Sequence, residues 1–411
     1  VLLFPLLMYY VLGAWCCARV SASFQGYHAP PCNLRPWFLG WTALLAGHVA
    51  VALFSNVTLA EALAPSGFSN IVWMAPLVSL MLLSFRTREH VIELSRFVMV
   101  AGLIRAMFGL LRWVAFGGDP NNVYANNNEI HIKLTFFDIN DSLMCTLAFA
   151  IAAVTLFQAN RLKQETLWKV LAWATLGATA LCIVLSYRRT AWIGLMLASA
   201  VIMMRFPLKR RLQMLTFGLP TVGVGLLTVM ARRFSQTKGA GSGLINGMFS
   251  DMESRRFGAE SERVLELKLA LSDFMSHLLT GIGSWGRYAG YQRISWQSGP
   301  DGGLFLHSGL LHIALKTGLF GLVLFTGTLC AFVMFARRAL RTLPPEQLAL
   351  ATAGVAGLAF MIPDLLVGTP FPQVRTTQML AICLALPYVA MAGAQATEPV
   401  RARSRLNLVP A

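Results

Sequence analysis

The chain has 411 residues, of which 56% are hydrophobic and 13% charged, with a mean hydropathy of +0.60 and a formal net charge of +16. A water-soluble globule is excluded, because so few charged groups cannot cover the surface of a fold this size. The composition describes an all-α integral membrane protein: in hydrocarbon every backbone N–H and C=O must bond internally, and a helix does so within one segment.

In chain order, apolar runs long enough to cross a hydrocarbon core of about 30 Å as helices fall near residues 1–17, 37–54, 68–85, 91–117, 142–158, 167–185, 190–204, 213–231, 308–335, 346–367 and 376–395. The sequence starts at Val1 inside an apolar run, which allows a twelfth span upstream of these eleven. No internal repeat is evident. Lys and Arg concentrate in alternate short loops, around Arg19 and Arg35, Arg86 and Arg88, Arg161 to Lys169, Arg205 to Arg211, Arg337 to Arg341, and in the tail Arg401 to Arg405. The intervening short loops hold Lys133, Arg188, Arg189 and Arg375. Positively charged loops stay cytoplasmic, so the long segment between Arg232 and Leu306 is expected outside. The chain thus divides into membrane helices over 1–231, an external loop or cap over 232–307, membrane helices over 308–395 and a basic cytoplasmic tail over 396–411.

Cys16, Cys17, Cys32, Cys145, Cys182, Cys330 and Cys383 lie mostly in or beside spans, and no disulfide framework or metal site is expected from them. His307 and His312 have no Cys or carboxylate at zinc-ligand spacing. Asp138-Ile-Asn-Asp141 comes nearest to a divalent-cation motif and reads better as solvated or helix-capping carboxylates. Neither metal nor cofactor is expected, and the cationic charge points to membrane and phosphate rather than to nucleic acid. Within the spans, Arg105 and Arg112 project from nearly one face and Asp364 sits beside Pro363. Intramembrane charges pair or line a cavity, which makes Arg112 with Asp364 one pairing to look for.

Glu260 to Phe274 has the pattern of an amphipathic helix, and it is followed by Leu278-Leu-Thr-Gly-Ile-Gly283 and by Trp285, Arg287, Tyr288, Tyr291, Arg293 and Trp296. A small helical cap on the outer membrane surface is expected, anchored by aromatics, with Arg287, Arg293, Tyr291 and Trp285 available to phosphate or sugar. The competing reading is a solvated loop whose arginines meet only lipid headgroups. A second external turn, Ser186 to Trp192, carries Arg188 and Arg189. Cations held near hydrocarbon are costly unless an anion or partner compensates them, and this favours function for Arg189.

Three segments resemble, in order, signatures of the bacterial O-antigen ligase and O-antigen polymerase family of polytopic glycosyltransferases. They are a Ser-x-x-Arg-Thr-Ala turn containing Arg189, Arg263 opening a helix that leads to Leu-Thr-Gly-x-Gly at Gly281 and Gly283, and His307-Ser308 followed by Gly318-x-x-Gly321. The resemblance covers roughly residues 140–335, and Leu267 stands where a Trp is frequent in the family. It implies a GT-C-like fold in a Gram-negative inner membrane, with a periplasmic site that transfers a glycan from undecaprenyl pyrophosphate to lipid A-core oligosaccharide.

The residue types suit that chemistry. A diphosphate leaving group needs its developing charge stabilised, and guanidinium groups grip phosphate oxygens with paired hydrogen bonds, a role for Arg189 and Arg263 with Arg188 beside them. The acceptor hydroxyl needs a base, and His307 is the matching side chain, kept neutral by nearby cations. Attack opposite the leaving diphosphate inverts the anomeric centre without metal. His312 is read as a packing residue, and Gly318 and Gly321 as sites of close helix contact. The alternatives are a polymerase or a protein O-oligosaccharyltransferase of the same family, a lipid-linked oligosaccharide transporter, and a structural scaffold.

Overall fold

The computed structural model describes residues 5–64, 69–122, 133–159, 161–213, 216, 227–228, 259–297, 299 and 302–396. Among them regular structure is entirely helical. The N-terminal part comprises α1 (Leu6–Phe24), α2 (Arg35–Phe54), the short α3 (Leu59–Ala62), α4 (Met74–Ser84) entered through a 3-10 turn, and α5 (Arg88–Ala115). Next come α6 (Ile139–Gln158), α7 (Thr166–Val184), α8 (Arg189–Met203), α9 (Leu208–Gln213) and α10 (Ala259–Ser276). The chain closes with α11 (Gly309–Thr342), α12 (Pro345–Val367) and α13 (Val374–Ala396).

Eight of the described helices, α1, α2, α5, α6, α7, α11, α12 and α13, are long and apolar enough to cross a membrane, and the protein is an all-α integral membrane protein. The shorter apolar helices α4 and α8 occupy two more of the expected spans. The expected span 213–231 lies almost wholly outside the described residues, as do 232–258 of the external loop and 397–411 of the tail.

Helix starts follow local chemistry. Thr87, Asp138 and Ser308 each accept a hydrogen bond from a backbone N–H in the first turn of α5, α6 and α11. The cap reading of Asp138 therefore holds, while Asp141 receives two hydrogen bonds from the Arg105 guanidinium, the Nε bond at 2.8 Å.

Burial sorts the helices into layers. The spans of α6, α12 and α13 are 61–67% buried against 17–28% for α1, α2, α5, α7 and α11, so the first three form the centre and the others face lipid. Phe54 and Phe24 stand 90% and 88% exposed, which only an apolar solvent makes favourable. Small residues let the central helices approach closely, as in membrane bundles generally. A Cβ on Gly194 of α8 would lie 2.3 Å from the Phe360 carbonyl of α12, and one on Gly354 of α12 would lie 2.5 Å from the Cys383 carbonyl of α13.

Contacts between loops separate the two ends of the bundle. At one end Arg88 pairs with Glu346 at 3.0 Å and Arg205 donates to the Leu340 carbonyl. At the other, Asn70 donates to the carbonyls of Phe371 and Pro372, and Thr135 donates to the Cys182 carbonyl.

The pairing of Arg112 with Asp364 does not form. Arg112 closes the last turn of α5, and the nearest carboxylate is where the chain turns back: Asp119 lies 2.9 Å away, with the Thr135 carbonyl as a second acceptor. Asp364 faces Arg188 instead, at 3.9 Å.

Candidate functional site

The amphipathic helix expected in the external loop is α10. Its Leu265, Leu269, Ala270 and Phe274 pack on Tyr288, Ile294, Leu306 and Leu315 in a small core of their own. Glu266 lies in this same stripe and is fully buried. A buried carboxylate needs donors, and three converge on it. Gln297 Nε2 donates at 2.8 Å, the backbone N–H of His307 at 3.2 Å and the His307 Nδ1 at 3.0 Å. Gln297 also donates to the Phe305 carbonyl and accepts from the Gly303 N–H, so the loop before α11 is closed around the carboxylate.

His307 sits just ahead of α11, whose N-cap is Ser308. Its ring lies edge-on to Trp296 and Phe305, each with centroids 5.8 Å away. A carboxylate only accepts, so Nδ1 is the ring nitrogen that carries a proton towards Glu266, and Nε2 is the one left facing away from the carboxylate. His307 was expected among cations, yet its immediate charged partner is Glu266. The reason is tertiary: α10 folds back over the start of α11. Beside the pair, burial and the Glu266 charge push the Tyr288 phenol above its ordinary pKa, burial being the larger cause.

Gly318 has φ 63° and ψ −157°, a break inside α11 rather than a helix-contact surface. Backbone groups freed there are taken by the Leu278–Gly283 stretch. Leu319 N–H donates to the Leu278 carbonyl at 2.9 Å and Ile282 N–H to the Leu315 carbonyl at 2.9 Å. A Cβ on Gly318 would lie 2.2 Å from the Leu279 carbonyl, and one on Gly281 would lie 2.5 Å from the Lys316 backbone, so both glycines serve this splice between loop and broken helix. Gly321 differs: its Cβ would meet Thr317 within α11 itself. Lys316 is fully buried and its Nζ donates to the Gly286 carbonyl, tying the loop down again. His312 is fully buried with Nε2 at 3.2 Å from the Leu304 carbonyl, in keeping with a packing role.

Arg188 and Arg189 stand at the N-terminus of α8. Arg188 donates to the Phe137 carbonyl and faces Asp364, and Asp364 lies within electrostatic reach of both Arg188 and His307. The start of α11 abuts the end of α12, since a Cβ on Gly309 would lie 2.7 Å from Pro370 and 3.1 Å from Leu365. His307, Arg188 and Arg189 therefore occupy one end of the bundle. Arg263 is exposed on α10, one turn before Glu266.

The other sequence candidates lie in the cap. Arg287 donates to the Gly302 carbonyl and sits 6.0 Å from the Tyr291 ring. Tyr291 packs edge-on against Tyr288, Arg293 is exposed in a 3-10 turn, and Trp285 meets His48 of α2 edge-on at 6.2 Å. Glu266, Gln297 and the place of Asp364 beside Arg188 were not anticipated. One signal existed: Glu266 falls between Leu265 and Leu269 on the apolar face of α10, where a carboxylate requires a buried partner.

Residues 174–326 match the family model described as O-antigen ligase. The matched stretch includes Arg188, Arg189, Arg263, Glu266, Gln297 and His307. No curated protein matches the chain.

Proposed function

Taking residues 174–326 as an O-antigen ligase domain, we propose that this protein transfers a glycan from undecaprenyl pyrophosphate to lipid A-core oligosaccharide at the periplasmic face of a Gram-negative inner membrane. The observation that carries the reading is the buried Glu266 holding His307 Nδ1 at 3.0 Å, within the matched segment. Glu266 keeps Nε2 as the acceptor nitrogen, and Nε2 takes the proton of the acceptor hydroxyl as its oxygen attacks the anomeric carbon. The new C–O bond forms as the bond to the diphosphate oxygen breaks, which inverts the centre in one step. Arg189 and Arg263 grip the departing diphosphate in this reading, and Asp364 faces Arg188, the neighbour of Arg189. Guanidinium groups thus do the charge stabilisation without a metal. Trp285, Tyr291, Arg287 and Arg293 present aromatic and cationic surface to the glycan and the core phosphates.

The test is purified protein with undecaprenyl-pyrophosphate-linked glycan and rough lipopolysaccharide, scored for joined product. Wild type yields a product ladder, His307→Ala yields none, and His312→Ala retains activity if it folds. Undiminished transfer by His307→Ala removes the base assignment. Product formed only on a polyprenyl-linked glycan or on protein would make the chain a polymerase or a protein oligosaccharyltransferase instead.

A further inference from the structure

At the end of the bundle opposite His307, a cavity of about 320 Å³ lies between α5, α6, α7 and α12. The 20 residues of α6 separate the two sites, a helix length of about 30 Å. Arg88, Arg96 and Lys163 line its mouth, with Glu346 and Glu165 as the carboxylates. Glu346 is engaged by Arg88 at 3.0 Å, and among the described residues neither Arg96 nor Lys163 forms a salt bridge.

Arg96 is held differently. Its guanidinium lies over the Trp168 ring, 4.3 Å from the centroid. Stacking covers the face of the group and leaves its N–H edge for an oxyanion, the geometry that phosphate recognition uses. Gln158, almost fully buried, adds an amide to the lining.

The backbone contributes in the same sense. α5, α7 and α12 all begin at this rim, and the N-termini of α7 and α12 have no side-chain cap. The positive ends of their dipoles favour negative charge, which Glu165 and Glu346 already supply in part. Further along α5 and α6 the lining mixes Ser95 and Thr155 with Met99 and Ile151. α5 and α7, which bound the cavity, are among the helices that face lipid, so a phosphate attached to hydrocarbon is placed to reach it.

We propose that this cavity is a second ligand site, separate from the transfer site, and that it binds the phosphate of an anionic amphiphile from the adjacent leaflet. The site needs neither His307 nor the glycan chemistry, so it stands or falls on its own.

The full chain in nanodiscs of phosphatidylcholine is compared with the same discs containing phosphatidylglycerol, and with phosphatidylcholine discs in millimolar inorganic phosphate. Phosphatidylglycerol is expected to raise the melting temperature by about 2 °C or more and to remain bound as one molecule in native mass spectrometry. Arg96→Gln with Lys163→Gln should lose both effects while melting as wild type does in phosphatidylcholine. Should that pair fail to fold, Lys163→Gln alone, at an exposed position, supplies the comparison and loses part of the rise. An equal rise with inorganic phosphate, lost in the variant, assigns the site to soluble phosphate compounds and still supports a phosphate site. No rise in wild type, or the same rise in wild type and variant, overturns the proposal.

Discussion

Glu266 and His307 are 41 residues apart in the chain, yet the fully buried carboxylate of the first accepts from Nδ1 of the second at 3.0 Å. The imidazole also meets Trp296 and Phe305 edge-on, so two aromatic contacts and one nitrogen fix its orientation. An imidazole held in this way, acting as the base we propose, would lose little entropy when substrate arrives.

Glu266→Gln tests the pair directly. The amide can donate as well as accept, so it no longer selects the Nδ1–H form of the ring. We expect kcat to fall by about 100-fold, KM to stay close to wild type, and Glu266→Asp to recover part of the rate. Equal kcat in wild type and Glu266→Gln, measured by product ladder in the purified system, would show that the carboxylate only packs.

The break in α11 gives a stability test. Gly318 sits at φ 63° and ψ −157°, and a Cβ there would lie 2.2 Å from a carbonyl oxygen. Gly318→Ala is therefore expected to destabilise by about 1–3 kcal/mol from backbone strain alone, with the clash adding to it. Gly47 in α2 has nothing within 4 Å of an added Cβ, and Gly47→Ala should be neutral or stabilising by up to about 1 kcal/mol. Thermal melts in one detergent compare the two variants, and a Gly318→Ala as stable as wild type would mean that the splice does not hold α11 in this shape.

Tyr288 predicts a pH dependence. Its phenol pKa is raised in the folded protein, first by burial and then by Glu266, and its hydroxyl has no partner among the described residues. A raised folded pKa contributes stability that is complete below the unfolded value of about 10 and is lost as pH climbs from there towards the folded value. The packing of α10 on Tyr288 should accordingly loosen in alkali, and Tyr288→Phe should blunt that loss without cost near neutrality, since it removes a buried unpaired hydroxyl. Proteolysis of the cap as a function of pH reads this out. Identical alkaline curves for the two proteins would remove Tyr288 as the titrating group.

Chelation and charge-preserving substitution test the arginine clamp together. EDTA should leave transfer unchanged, whereas Arg189→Lys and Arg263→Lys, which keep charge but lose the two-pronged grip, should lower kcat/KM by roughly 10- to 100-fold each. Activity that vanishes with EDTA and returns with a divalent ion would put a metal where we assign the guanidinium groups.

Much of the frame was legible in the residues themselves. Apolar length marked the spans, the amphipathic pattern marked the helix α10, and Asp138 read as a cap and Ser308 acts as one. Those features depend on neighbours within a turn or two. The pairing of Arg112 was misread because two intramembrane charges at unknown depth say nothing of which turn they share, and the chain supplied a nearer carboxylate in Asp119. Gly318 and Gly321 were read as helix contacts because a small residue has the same signature whether it meets a helix or, as Gly318 does, a loop backbone.

Hydropathy and charge along the chain determined by themselves that this protein lies in a membrane, which segments are helices and which loops gather cations, because the solvent acts on each segment separately. Only the tertiary structure decided that Glu266, buried on α10, would meet His307, that Asp364 would answer Arg188, and that Leu278–Gly283 would complete a broken α11. The physical reason is that a buried charge or a freed backbone group must find a partner somewhere, and which partner it finds depends on how distant helices pack.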